Sequence, residues 1–174
     1  TDGNGGVAVA DLNFADVTAV NDNPVATAGT YATPEDTQLI GNLLLDDTGA
    51  GLDFDVDGDG IFVSQFSVLG EPGSFIVGAP YVISGFGELT VQSNGGFTFD
   101  PASDFHGAVP QISYTISDGQ GGSASAAVDL TVDAVNDAPT VTSAGAIVLE
   151  DGTATGNVVI QDVDGDIPVA SLDV

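Results

Sequence analysis

The side chains with the most chemistry to offer are carboxylates, and their spacing is informative. Asp53-Phe-Asp-Val-Asp-Gly-Asp59 sets acids at alternate positions with a glycine in sixth place, as in the first half of an EF-hand loop. Its second half, Asp55-Val-Asp-Gly-Asp59, recurs as Asp162-Val-Asp-Gly-Asp166. Carboxylate, amide and carbonyl oxygens at this density suit a hard cation, and Ca2+ takes about six to eight of them. The twelfth position of the loop is Ser64 instead of Glu, and a strand is expected at Ile61 where an EF-hand helix would leave, so the missing ligands must come from elsewhere in the chain. Other chemistry is thin. His106 is the only conventional general base, and a lone turn histidine is more often structural than catalytic. Without Lys or Arg there is no guanidinium clamp, amine nucleophile or phosphate-loop lysine, and without Cys there is no thiolate. Gly119 to Gly122 precedes a strand and lacks a lysine, which excludes a phosphate loop. Paired carboxylates could serve a glycosidase, but here they fall in loops at repeat ends with no aromatic subsite. No catalytic residue is expected, and the chain is not read as an enzyme.

Charge narrows the partners. The 174 residues carry 26 Asp plus Glu against no Lys or Arg, for a net charge of -26. Nucleic acid requires cations to displace phosphate counterions, and an anionic membrane attracts polybasic segments, so neither partner is expected. No apolar run approaches the roughly 18 residues of a membrane helix. Acidic chains are often disordered, but this one is 43% apolar with positive mean hydropathy and should fold. Carboxylates within a Debye length of roughly 10 Å repel one another, so the compact state needs cations from solution.

Those loops are placed by an internal repeat. Ala19-Val-Asn-Asp-Asn-Pro24 recurs as Ala134-Val-Asn-Asp-Ala-Pro139, a spacing of 115 (139 - 24), and Glu35-Asp36 recurs as Glu150-Asp151 at the same spacing. Thr1-Asp-Gly-Asn-Gly-Gly6 likewise matches Ser117-Asp-Gly-Gln-Gly-Gly122. The Asp-Val-Asp-Gly-Asp loops are 107 apart (162 - 55), which leaves 115 - 107 = 8 extra residues in the first copy, around Thr48 to Phe54. The chain is expected to hold the last strand and linker of one repeat (1–23), a complete repeat (24–138) and the start of another (139–174), as a window on a longer array.

Strand signals fill the complete repeat. Ala126, Val128, Leu130 and Val132 alternate with Ala127, Asp129, Thr131 and Asp133, the period of a strand with one buried face. Further strands are expected at Thr37 to Leu44, Ile61 to Val68, Phe75 to Val77, Tyr81 to Ser84, Glu88 to Gln92, Phe97 to Phe99 and Gln111 to Ser117, and the segment Ala8 to Val20 suggests a strand with a bulge near Ala15 and Asp16. Seven or more short strands without helical periodicity predict an all-β, antiparallel Greek-key sandwich of immunoglobulin type. Phe97, Phe99 and Tyr114 sit at positions that suit its core better than a sugar-binding platform.

Glu35-Asp-Thr37, Asp55-Val-Asp-Gly-Asp59, Gly87-Glu-Leu-Thr90 with Gly96-Phe-Thr-Phe99, Tyr114 to Gly122 and Ala134 to Pro139 together resemble the cadherin-like and VCBS-type tandem repeats of large bacterial RTX adhesins. The resemblance covers essentially the whole chain. It implies a Ca2+-rigidified repeat of an extracellular or cell-surface protein, typically exported by a type I system, whose partners are the adjacent repeats. In such a sandwich Asp53, Asp55, Asp57, Asp59 and Asp118 would meet the linker Asn21-Asp22-Asn23 at one end. Glu35, with Asp36 beside it, and Asp104 would meet Asn136 and Asp137 at the other, facing Asp162, Asp164 and Asp166. The loop around Asp104 departs from the cadherin pattern in lacking a second acid. Two other functions stay open on the sequence: a carbohydrate-binding sandwich, and a fibre subunit whose segment Ala8 to Val20 completes a like chain by strand addition.

Overall fold

The structure, a computed structural model, describes residues 4, 18–143, 150 and 158–165. Twelve strands are found among them, and no helix: β1 (Gly29–Pro34), β2 (Leu39–Asn42), β3 (Phe62–Val68), β4 (Phe75–Ile76), β5 (Pro80–Ile83), β6 (Gly87–Val91), β7 (Gly96–Pro101), β8 (Gly107–Ala108), β9 (Ile112–Ser117), β10 (Ser123–Asp133), β11 (Thr140–Ser143) and β12 (Val158–Gln161). One sheet runs β1-β10-β9-β3-β4, with β8 also paired to β10, and the other runs β2-β7-β6-β5. The pair β11-β12 lies beyond the linker.

Alternation explains which faces meet. On β10, Val128, Leu130 and Val132 are buried while Asp129, Thr131 and Asp133 are exposed; on β9, Ile112, Tyr114 and Ile116 point inward between Ser113, Thr115 and Ser117. They pack with Val63, Phe66 and Val68 of β3 against Leu89, Val91, Phe97 and Phe99 of the facing sheet. Phe97, Phe99 and Tyr114 are therefore core residues, each at most 3% exposed. The period breaks once, between Val63 and Phe66. There the register jumps from Val63 opposite Ile116 to Gln65 opposite Thr115, so Ser64 is the extra residue of a β-bulge.

Two features depart from the sequence reading. Strand β1 was not expected, because Gly29-Thr-Tyr-Ala-Thr-Pro34 has no apolar alternation; its buried Thr33 is satisfied by donating to the Thr37 carbonyl at 3.0 Å. It also pairs parallel to β10, whereas every other strand pair is antiparallel. The extra residues between β2 and β3 form no strand, only the bridge Val25–Phe54. The anticipated strand Ala8 to Val20, its bulge at Ala15 and Asp16, and Asp166 lie largely or wholly outside the described residues.

Candidate metal centre

Because strands alternate in direction, the acidic loops collect at the two poles of the sandwich. At the N-terminal pole, Asp55 sits where the β2–β3 loop turns into β3. Its Oδ1 accepts the backbone N–H of Asp57 (2.8 Å) and Asp59 (3.3 Å), which curls the loop around one carboxylate and leaves Asp55 Oδ2 buried without a partner. Asp57 Oδ2 reaches the linker and accepts the N–H of Asp22 at 2.7 Å. Across the linker, Asp118 closes the β9–β10 hairpin by accepting Gln120 N–H (2.7 Å) and Gly122 N–H (2.9 Å), while its Oδ2 accepts the Asn21 amide at 2.8 Å. That amide first, and the hairpin N–H groups after it, hold the Asp118 carboxyl below the usual carboxylate range. Gly122 must be glycine: a Cβ there would lie 2.1 Å from Asp118 Oδ2 and 3.1 Å from the Asn23 side-chain oxygen. Asn21, Asp57, Asp59 and Gln120 line an open cleft of about 400 Å3 between these loops.

The C-terminal pole repeats the same construction one repeat later. Asp137 N–H donates to Asp164 Oδ2 (2.6 Å), and Asp164 N–H donates to Asp162 Oδ1 (3.0 Å). Gly58 and Gly165 share the left-handed φ that lets each loop turn, +81° and +77°. The same end of the sandwich adds three more acids. Glu35 follows β1, is 3% exposed, and accepts the Val135 N–H through Oε1 at 2.5 Å; its Oε2 has no hydrogen bond and lies 3.9 Å from Nδ1 of the half-exposed His106. Asp36 and Asp104 both adopt left-handed backbone (φ +56° and +57°), which aspartate tolerates better than most residues. The Asp104 loop is anchored by Phe105, whose ring meets Phe86 edge-on at 5.1 Å. Carboxylate oxygens of Asp36, Asp104 and Asp137 lie within 4.8 Å of one another. Asp137 Oδ2 is buried and unpartnered. Burial pushes the Asp137 carboxyl up, and the charges of Asp164, Asp104, Asp36 and Glu35 push it further.

The sequence-derived set is therefore brought together at two places, with exceptions. Asp53, expected among the ligands, is instead tied into the body of the sandwich: Oδ1 accepts Thr27 N–H (2.7 Å) and Thr27 Oγ1 (2.9 Å), and Oδ2 accepts the Tyr114 hydroxyl (2.8 Å). Both its oxygens are used, and burial with this bond drives the Tyr114 hydroxyl far above its ordinary value. Asn136 turns its amide onto the Asp137 carbonyl (3.0 Å), so its side-chain donor serves the linker itself. Asp36, grouped from the sequence with Glu35 and Asp104 near the Asn136-Asp137 linker but not named among the ligands, belongs to the cluster with Asp104 and Asp137; a Glu-Asp pair in a turn between two strands was the available signal.

The donor set suits a hard cation. Two oxygens sharing one Ca2+ at about 2.3–2.6 Å stand no more than about 5 Å apart, as do those of Asp36, Asp104 and Asp137. Among the described residues, the buried side-chain polar atoms without a hydrogen bond are Glu35 Oε2, Asp55 Oδ2 and Asp137 Oδ2. All three are carboxylate oxygens at the poles, and a buried carboxylate oxygen without a donor or cation is costly.

Two sheets packed face to face, with acidic loops and linkers gathered at both poles, define a cadherin-like sandwich. The family model of the bacterial cadherin-like domain matches residues 21–134, and the chain belongs to that family. No curated protein matches the chain. A solved structure of a nucleoside hydrolase-related hypothetical protein from Saccharophagus degradans, associated with carbohydrate metabolism, matches 66% of this chain at 21% identity with a TM-score of 0.44, and the match spans 26% of that protein.

Proposed function

We propose that the chain is a calcium-binding structural repeat of a large bacterial surface adhesin or secreted protein of the VCBS type, in which ions at each junction stiffen the array for adhesion or biofilm attachment. The C-terminal pole carries this reading: Glu35, Asp36 and Asp104 from one repeat, Asp137 from the linker and Asp162 with Asp164 from the next converge on one place, with two buried carboxylate oxygens left unpartnered. Asp36, Asp104 and Asp137 would hold Ca2+ there, and Asp55, Asp57, Asp59 and Asp118 with the Asn21 to Asn23 linker would hold it at the other pole. Bound Ca2+ supplies positive charge that relieves carboxylate repulsion and coordination that joins the loops. The chain's own contribution is to grip the linker backbone from both sides, Val135 N–H by Glu35 and Asp137 N–H by Asp164. Millimolar affinity is sufficient outside a cell, where extracellular modules bind at about 0.1–1 mM.

The test is thermal unfolding in EDTA, then in Ca2+, with Mg2+ as the control for screening. One site filled at 100 times its Kd adds about 2.7 kcal/mol, a rise of roughly 8–16 °C for a domain of this size. Equal responses to both ions would reduce the acidic loops to solvated turns and remove the proposal's support.

A further inference from the structure

Glu35 has one oxygen that its grip on the linker does not explain. Oε1 accepts the Val135 N–H, but the side chain is only 1% exposed and its Oε2 is buried with no hydrogen bond. Nδ1 of His106 stands 3.9 Å from that oxygen. The gap is too long for an N–H···O bond, which ends near about 3.2 Å. It is too short for a bridging water with good angles at both ends, which sets its partners about 4.5 Å apart. One first-row metal ion does span it. Zinc bonds of about 2.0–2.1 Å to nitrogen and about 2.0–2.2 Å to a carboxylate oxygen place the two donors about 3.4 Å apart at a tetrahedral angle, and at most about 4.3 Å apart when the angle opens. The filled d shell of Zn2+ imposes no angle of its own.

The backbone fixes both donors at the end of one strand. Pro34 of β1 pairs with Asp133 on one edge of β10, and the Glu35 N–H donates to the Asp133 carbonyl at 2.9 Å. On the opposite edge Gly107 of β8 pairs with Val132, which anchors His106 one residue before it. The turn leading there is set by the left-handed Asp104, by the Phe105 N–H on the Ala102 carbonyl (3.0 Å) and by the Phe105 ring against Phe86. The imidazole itself makes no hydrogen bond among the described residues, and half of it is open to solvent, so water can fill further coordination positions. Donor type then separates this pair from the acids beside it. Ca2+ takes oxygen ligands, whereas imidazole suits Zn2+ and its first-row relatives, and His106 is the chain's single imidazole.

We propose that Glu35 Oε2 and His106 Nδ1 form a second metal site at the C-terminal pole, selective for a Zn2+-class ion, with water completing its coordination. It adjoins the cluster of Asp36, Asp104 and Asp137 but shares no ligand with it, so it stands or falls apart from the Ca2+ reading. The experiment titrates ZnCl2 into the full 15N-labelled chain, once saturated with Ca2+ and once stripped of it at a temperature where the metal-free protein is folded, with MgCl2 as the control. With one histidine in the chain, the long-range 1H–15N spectrum reports a single imidazole. Zn2+ should shift its Nδ1 resonance saturably in both states, and Mg2+ should leave it in place. By calorimetry His106→Gln, at a half-exposed position, should weaken Zn2+ binding roughly tenfold or more, and Glu35→Gln by a similar factor. Should Glu35→Gln not fold, the Nδ1 shift and His106→Gln decide the matter. Zn2+ coordinated through Nε2, an equal shift with Mg2+, or unchanged Zn2+ affinity in either folded variant would each overturn the proposal. Zn2+ bound at Nδ1 in a chain that gains no Ca2+-selective stability would support this site and remove the proposed function alone.

Discussion

Replacing Tyr114 by Phe removes a hydroxyl that lies 2.8 Å from both Asp53 Oδ2 and the Thr27 carbonyl, in a side chain only 1% exposed. One O–H proton serves both acceptors, so the loss is counted once. A hydrogen bond to a charged group is worth about 1.5–3 kcal/mol, and the phenylalanine fills nearly the same volume, so little cavity cost is added. For a domain of roughly this size each kcal/mol moves the midpoint by about 3–6 °C, which predicts a fall of roughly 5–18 °C for Tyr114→Phe. Asp53→Asn should cost a similar amount, and the double variant should cost less than the sum by about 1–2 kcal/mol because both substitutions break the same contact. The assay is thermal and urea unfolding of all four proteins in EDTA and in Ca2+. The same losses are expected in both buffers, since Asp53 acts inside the sandwich and the midpoint gain from Ca2+ should survive its substitution. A variant at Asp53 that keeps its stability in EDTA but loses the Ca2+ gain would refute this and return Asp53 to the ligand set. A Tyr114→Phe change below about 0.5 kcal/mol would show that the contact does not hold the β2–β3 loop.

Asp137→Asn should abolish most of the Ca2+-dependent rise in midpoint yet raise the midpoint in EDTA, because it removes a carboxylate crowded by Asp164, Asp104, Asp36 and Glu35; differential scanning calorimetry in both buffers reads both signs. Without metal, the two poles should respond oppositely to acid. The Asp118 carboxyl is held low in the folded state, so its contribution is present above the unfolded value and lost as pH falls through the folded one. The Asp137 carboxyl is raised, so the folded state takes up its proton first and stability rises as pH falls from above that raised value toward the unfolded one. Urea midpoints against pH in EDTA should therefore show a shallower acid limb in Asp118→Asn and a smaller gain on mild acidification in Asp137→Asn. Glu88 and Asp100 stand directly opposite on β6 and β7, with the Gln38 amide donating to both Asp100 oxygens. Glu88→Lys should add about 0.2–1 kcal/mol, equally in EDTA and Ca2+, and so separates general charge relief from ion binding at the poles.

The core strands were legible because their alternation is regular: β9 and β10 keep Ile112, Tyr114, Ile116, Val128, Leu130 and Val132 on one side without a break. Strand β1 was not, since its burial rests on Tyr31 and Thr33 and its parallel pairing to β10 is a tertiary choice that no local period encodes. The bulge at Ser64 could have been read from the spacing of three between Val63 and Phe66, where strict alternation would give two. Asp53 shows how motif spacing misleads. It completes an alternating run of acids, yet the 107-residue offset that aligns Asp55 with Asp162 aligns Asp53 with Ile160 (53 + 107), so the repeat itself does not keep an acid there. Asp57 and Asp164 pass the same comparison, and in the structure they make the same bond to the N–H of the preceding linker aspartate.

The placement of charge gives the two parts of the molecule different physics. Hydroxyls on the outer face of the β1-β10-β9-β3-β4 sheet are satisfied locally: Thr115 Oγ1 and Ser125 Oγ share a bond of 2.9 Å, Ser64 Oγ donates to the Thr115 carbonyl at 3.1 Å, and Ser113 Oγ donates to the Ala126 carbonyl at 3.3 Å. The acids on that face, such as Asp129 with its bond from the Gln111 amide (3.0 Å), stand apart from the clusters at the poles. At the C-terminal pole, by contrast, Glu35 and Asp164 hold backbone N–H groups of the linker beside the crowded carboxylates of Asp36, Asp104 and Asp137, so the junction is assembled by bonds that also concentrate repulsion. A carboxylate that grips a linker N–H while another oxygen of the same cluster lacks a donor is poised between two outcomes: a cation keeps the grip, and its loss sets the grip against the repulsion. On the proposed reading the ion supply thus governs the angle between repeats more strongly than the stability of each sandwich, because the hydrophobic core around Phe66, Phe99 and Tyr114 contains no member of either cluster.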